Sequence, residues 1–286
     1  MQTITAVIPA KNEGENIARC IESVKWCNKI VVMWMGNDET GETAKKLGAE
    51  VIKKNASVDD DFTGVQKNIN WAIDHCETDW ILRIDADEVV TNELESEIKS
   101  ILAPGGRRGR APDSVESRGI WSLVATNPDG RETSDRIWRE EIVAYGIPRA
   151  QFFCGGFLRG GDWAYDRLVR FFKPKYCRYE PIVPVHEQFR VNGKIGYLKN
   201  KLLHYSHPTF KEAVKKFQLY TDIEAKNMKD HYAVAALKMF FLPAYVFLRW
   251  MIWHHGYRDG LRGLLAGAMR GWYEFLVYSK YLLGEK

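Results

Sequence analysis

The sequence predicts an α/β fold: a mostly parallel sheet with flanking helices, followed by a C-terminal amphipathic helical region. Three observations carry that expectation. Short β-branched runs alternate with helix-period segments through the first hundred residues, which implies parallel strands joined by crossover helices. Those runs end in polar turns, at the strand ends where such sheets bind ligands. Beyond residue 208 the pattern becomes helical and aromatic.

Taken in order, Thr3 to Ile8 is a β-branched run ending at Pro9. The polar turn Lys11 to Asn16 follows, then Ile17, Ile21 and Val24 at helical spacing. Ile30 to Met35 predicts a second strand and Gly36 to Gly41 a turn. Ala44 and Leu47 mark a helix, and Glu50 to Lys53 a third strand. A helix around Val65 to His75 precedes the strand Trp80 to Ile84, which delivers Asp85 and Asp87 at its carboxyl end. Thr91 to Leu102 reads as a helix. Pro104 to Pro112, with Gly, Pro and three arginines, breaks all periodicity and predicts a loop between halves. Runs at Ile120 to Ala125, Leu168 to Phe172 and Ile195 to Leu198 predict a smaller mixed region. Thr209 and Glu212 have capping-box spacing and open an amphipathic helix. The expected division is 1–103, a donor half; 104–207, an acceptor half; and 208–286, a helical region.

The 286 residues suffice for a full core, and a formal charge of +4 argues against a dedicated nucleic-acid binder. Five scattered cysteines without a CxxC pair indicate neither a disulfide framework nor a thiolate zinc site. With no basic region followed by a long apolar run at the N-terminus, the expected location is the cytoplasm. Ten Trp, thirteen Tyr and thirteen Phe suit stacking on sugar rings or bases, contact with a membrane surface, or core filling.

Asp85-Ala86-Asp87 places two carboxylates one residue apart, a spacing that can bind a hard divalent cation while the backbone between them stays extended. A solvated loop has the same spacing. Val7-Ile8-Pro9-Ala10-Lys11-Asn12-Glu13 followed by Trp80 to Glu88 resembles the GT-A glycosyltransferases, specifically the large inverting family that contains bacterial lipopolysaccharide-core glucosyltransferases. Gln66-Lys67-Asn68, Gly160 to Asp166 with Arg170, Val185-His186-Glu187, and Gly256 to Gly260 also resemble segments of that group.

The resemblance implies a nucleotide-sugar donor, with UDP-sugars foremost, a glycan or lipid-linked acceptor, and Mg²⁺ or Mn²⁺ as cofactor. It sets Pro9 and Glu13 near the donor base and ribose and Asp85 near the ribose. Asp87 falls on the metal, with Asp85 and His204 as further candidate ligands. Lys67 is either a phosphate contact or an exposed helix lysine. Glu187 resembles the carboxylate base of inverting enzymes, with Asp166 its rival unless Asp166 binds acceptor or pairs with Arg170. His186 either orients Glu187 or is structural; Trp163 is a sugar platform or a core plug; Arg170 belongs with the acceptor or sugar. One departure stands out. The family usually places an aspartate after the second strand, whereas this chain has Val32-Met33-Trp34-Met35 with Asp38 and Thr40 downstream. Another residue then holds the base, or the nucleotide is unusual, or the chain is a catalytically silent GT-A-like scaffold.

In the tail, Lys238, Arg249 and Pro243 make Ala233 to Trp253 a poor membrane span. Basic and aromatic residues on amphipathic helices suit an anionic membrane surface, the inner face of the cell membrane being the expected one. Packing on the catalytic domain or on a second copy, as a homo-oligomer, is the alternative.

Overall fold

The N-terminal run forms β1 (Ile4–Ala10), buried along its whole length, in a computed structural model that describes residues 2–54, 62–104, 142–180 and 188–284. The strand runs past Pro9, further than the sequence predicts. Pairing with β4 (Trp80–Arg83) stops at Val7↔Arg83, so the proline lies beyond that ladder, where a central strand tolerates it. On its other side β1 pairs in parallel with β2 (Lys29–Trp34), which pairs in parallel with β3 (Glu50–Lys53).

Two helices follow these strands: α1 (Gly14–Glu22) after β1 and α2 (Thr40–Lys46) after β2. Between β3 and β4 runs α3 (Phe62–Asp74); β5 (Glu88–Val90) and α4 (Asn92–Leu102) come next. Thr91 caps α4 by accepting the Leu94 amide at 3.2 Å.

The alternation of side chains explains the layers. Ile4, Ala6 and Ile8 of β1, Val32 of β2 and Leu82 of β4 pack with Ile17 and Ile21 of α1 and Leu94 and Ile98 of α4. Val7, Val31, Met33 and Ile81 point the other way, onto Ile69, Ala72 and Ile73 of α3. A sheet covered on both faces needs such near-continuous apolar strands.

The second half is mixed, as expected, but it continues the first sheet instead of standing as a separate region. It contains β6 (Ile142–Phe153), β7 (Gly156–Phe157), β8 (Arg167–Phe172), β11 (Lys194–Tyr197) and β12 (Leu202–His207). The order is β3-β2-β1-β4-β8-β6-β12-β5, with β7 and β11 on β6. β8 is antiparallel to both β4 and β6, so the sheet is mixed. A hairpin of β9 (Cys177–Glu180) and β10 (Gln188–Val191) stands apart as a second sheet. The run at Ile120 to Ala125 and most of the Pro104 to Pro112 stretch lie outside the described residues.

Contacts divide the chain into two units, Met1–Pro148 with Arg167–Leu203, and Arg149–Asp166 with His204–Lys286. The second therefore contains the whole expected helical region together with the ends of β6 and β12. Its helices are α5 (Phe210–Asn227), α6 (Tyr232–Leu248) and α7 (Gly260–Leu283). The predicted capping box of α5 is present, with Thr209 and Glu212 exchanging both bonds. A π-turn over Arg249–Trp253 ends α6 and drives Trp250 into the unit's core with Phe153, Phe217, Met269 and Tyr273.

Candidate active site

In the first unit, the turns after β1, β2 and β4 carry the residues singled out by the sequence. After β1, Asn12 takes a positive φ of 56° and its side-chain oxygen accepts the Asn37 amide at 3.1 Å, tying the first turn to the second. Glu13 is half-buried; its amide donates to the Thr40 hydroxyl at 2.9 Å, and its carboxylate accepts Asn16 Nδ2 at 2.8 Å. Asp38 completes this chain of bonds, accepting the Thr40 hydroxyl at 2.7 Å and the Gly14 amide at 3.2 Å. Partial burial pushes the Asp38 pKa up, but the bonds from Thr40 and the Gly14 amide outweigh it and hold the carboxyl below its ordinary value.

The departure at Met33-Trp34 has a packing reason. Met33 is fully buried on the α3 face, opposite Pro9 in the ladder. Trp34 points the other way and lies flat against Gly41, where a Cβ would meet its ring at 2.5 Å. Lys53 Nζ sits 3.5 Å above the ring and also donates to the Gly36 carbonyl. A stacked indole and a lysine thus stand where the resemblance leads one to expect an aspartate.

The turn after β4 corrects one expectation. Ala86 and Asp87 are the central residues of a tight turn rather than an extended link. Glu88 closes it: its amide donates to the Asp85 carbonyl at 2.9 Å, and its carboxylate accepts the Asp85 amide at 2.8 Å. Asp85 receives Arg83 Nη2 on one oxygen at 3.1 Å and Arg170 Nη2 on the other at 2.5 Å. Arg170 also lies 3.7 Å from Glu88, and Arg83 bonds the Tyr179 hydroxyl at 3.0 Å. Arg170 is 1% exposed and Glu88 0%. Arg170, expected at the acceptor or sugar, is instead a buried counter-ion of Asp85, so both Asp85 oxygens carry arginine bonds and a metal-ligand role for Asp85 loses support. Asp87 sits half-buried at the corner of the turn.

Cys20 on α1 reports how closely the carboxylates gather. Burial, then the negative charges of Glu88, Asp87, Asp85 and Glu13, push its thiol well above the ordinary value. Lys67 is exposed on α3, three residues before the half-buried Asn70, whose amide pairs with the Tyr179 backbone. Beside it, Gln66 is 0% exposed, and neither its Nε2 nor its Oε1 has a partner among the described residues.

In the second unit, Asp166 pairs with Arg149, accepting Nε at 2.8 Å, and with Gln151 Nε2 at 3.2 Å, rather than with Arg170. Trp163 stacks on His207, with ring centroids 5.2 Å apart and planes within 2°, and meets Trp250 edge-on. That favours the core-plug alternative over a sugar platform. His204 is half-buried on β12. The segments Gly160 to Asp166 and Gly256 to Gly260, distant in sequence, form one joint: Asp259 accepts the Arg159 amide at 3.0 Å and the Gly160 amide at 2.9 Å. Asp162 pairs with Arg249 and His254. Glu187 and His186 lie outside the described residues. Among the described residues no three His, Cys, Asp or Glu side chains gather as a metal site.

Arg83, Glu88 and Gln66 were not anticipated as site residues. For two of them a signal was present: Arg83 is an arginine inside the apolar strand Trp80 to Ile84, and Gln66 continues the buried stripe of Ile69 and Ile73.

Comparison with known proteins agrees with this arrangement. Residues 5–106, which hold all three turns, match glycosyl transferase family 2. An uncharacterized glycosyltransferase of Rickettsia felis is 29% identical over 80% of this chain and 71% of its own length. A lipopolysaccharide core biosynthesis glycosyltransferase, LpsC, of Rhizobium meliloti is 21% identical over 97% of this chain and 91% of its own. Among solved structures, glucosyl-3-phosphoglycerate synthase of Mycobacterium tuberculosis, in complex with Mn²⁺, UDP and its product, is 19% identical. That likeness covers 37% of this chain and 40% of the other, at a TM-score of 0.28. Residues 5–106 thus match the glycosyl transferase family 2 domain, and over most of its length the chain is similar to proteins named as glycosyltransferases.

Proposed function

We propose that the protein transfers a sugar, with inversion, from a nucleoside diphosphate donor, a UDP-sugar first among candidates, to a hydroxyl of a membrane-borne glycan such as a lipopolysaccharide core. The observation that carries this reading is the gathering of Glu13, Asp38, Asp85 and Asp87 on the turns after three adjacent parallel strands. Glu13 and Asp38, held by Thr40 and the start of α1, offer acceptors to ribose and base hydroxyl or N–H groups. Asp85, fixed in place by Arg83 and Arg170, presents carboxylate oxygens that would accept hydrogen bonds from a ribose.

The donor set suits Mg²⁺ or Mn²⁺, which bind through one or two carboxylates plus phosphate and water oxygens rather than in a closed protein cage. Asp87 would hold such an ion, which would neutralise the leaving diphosphate. Lys67 is placed by its sequence context to meet the same phosphates. On the acceptor side Glu187 takes the hydroxyl proton as the oxygen attacks, which needs a carboxylate and no covalent enzyme intermediate.

Hydrolysis of nucleotide sugars by the purified protein with Mn²⁺ tests the reading. Turnover of at least one donor is expected, and Glu187→Gln should lower kcat by roughly 10²- to 10⁴-fold with donor affinity retained. Failure to bind or hydrolyse any common nucleotide sugar would favour the silent scaffold, the reading that Trp34 in place of an aspartate supports.

A further inference from the structure

α6 and its π-turn form one apolar stretch of 22 residues, Tyr232–Trp253, with a mean hydropathy of 1.4 in its most apolar window. A buried core helix passes the same test, yet only 17% of that window is buried. The exposed positions are not random. Val234, Leu237, Phe241, Tyr245, Leu248 and Ile252 recur every three or four residues, with Phe241 72% exposed. On α7 the same holds for Leu261, Leu264, Leu265, Trp272 and Phe275, with Leu261 84% exposed. Every exposed residue of both helices is apolar, glycine or tyrosine; none carries a charge. A helix facing water normally puts its polar residues there.

The opposite faces are already used. Ala235, Val246 and Trp250 of α6 are buried, Trp250 Nε1 donates to the Gly263 carbonyl at 3.0 Å, and a Cβ on Gly267 would lie 2.7 Å from its ring. Charges on these helices are paired away from the exposed stripes: Lys238 with Asp230 at 2.7 Å, Arg249 with Asp162, and the buried Arg270 with Glu274 at 2.6 Å. A spanning arrangement would drag those pairs into hydrocarbon, whereas lying in the plane immerses the stripes alone.

Charge selects between the two occupants that an apolar face could take. Residues 208–286 hold twelve Lys and Arg against seven Asp and Glu, so this region carries more net positive charge than the +4 of the whole chain. Two copies apposed through it would bring like charges together, while an anionic bilayer would attract them. We propose that α6 and α7 form an in-plane docking surface for an anionic lipid bilayer, seated by the stripes on both helices and by the aromatic tip of Trp253 and Tyr257. The acceptor in the preceding section gives this surface a purpose, but binding to lipid does not depend on that activity.

Co-sedimentation of the full chain with vesicles of phosphatidylglycerol and phosphatidylcholine, against phosphatidylcholine alone, reads the surface directly. Binding to the anionic vesicles is expected, weakened by salt, and Phe241→Glu and Leu265→Glu should each lower partitioning about ten-fold or more. Both positions are exposed, and unchanged thermal unfolding and donor hydrolysis without vesicles would show the variants folded. No sedimentation with anionic vesicles would overturn the proposal. So would a wild-type dimer in light scattering that the same substitutions dissociate while vesicle binding persists. If vesicles bind and no nucleotide sugar is turned over, the surface stands and the proposed reaction falls.

Discussion

Within the turn after β4, Asp85 is tied into a buried ion network: Arg83 and Arg170 bond it over a fully buried Glu88. Removing one member of a buried ion network leaves its partners uncompensated, so Arg170→Met should cost roughly 3–5 kcal/mol in urea unfolding. A loss under about 1 kcal/mol would show that Asp85 and Glu88 do not rely on it. Asp38 permits a pH test. Its folded pKa lies below the ordinary value, so the stability it contributes is present above about pH 4 and fades as pH falls through the folded value. The difference in urea midpoint between wild type and Asp38→Asn should therefore be largest near neutrality and shrink in acid; a pH-independent difference would contradict the bonding described. Individual residues were the least legible level of the sequence. The spacing of Asp85 and Asp87 was visible, but the pairing of Asp85 with Arg170, 85 positions away, was not, because no local pattern announces such a partner.

Among the elements, those with clean periodicity matched their expected places. The strand Glu50 to Lys53 is β3, the Leu168 to Phe172 run is β8, and the Thr209 capping box opens α5. The long strand β6 escaped the reading because Gly146 and Pro148 interrupt it. Gly146 is needed where the Tyr197 ring crosses the strand, a cross-strand contact invisible to periodicity. Two glycine-bearing segments make a sharper point. Gly160-Gly161 and Gly256 were legible only as parts of segments that resemble the family, yet together they admit the Trp250 ring and the backbone at His255. Gly161 has a φ of 79°, and a Cβ there would strike that ring. Gly161→Ala should destabilise the protein by more than about 1 kcal/mol in thermal or urea unfolding, and a neutral result would contradict the packing of Trp250.

Across the whole molecule, the fold class was readable because a parallel sheet buried on both faces writes near-continuous apolar runs into the chain. The mixed character of the second half was readable too, but not its continuity with the first sheet, since antiparallel pairing of β4 with β8 depends on partners about ninety residues apart. The aromatic richness noted in the sequence is divided between cores and the exposed stripes of α6 and α7, a division that composition cannot make. The proposed nucleotide-sugar site lies on the turns after β1, β2 and β4, with Asp87 as the proposed metal ligand. Calorimetric titration of UDP and UDP-sugars into the protein, with and without Mn²⁺, tests it most directly when wild type is compared with Asp87→Ala. The account predicts Mn²⁺-dependent binding that Asp87→Ala weakens at least ten-fold; equal binding by both proteins, or the same affinity without the ion, would contradict it.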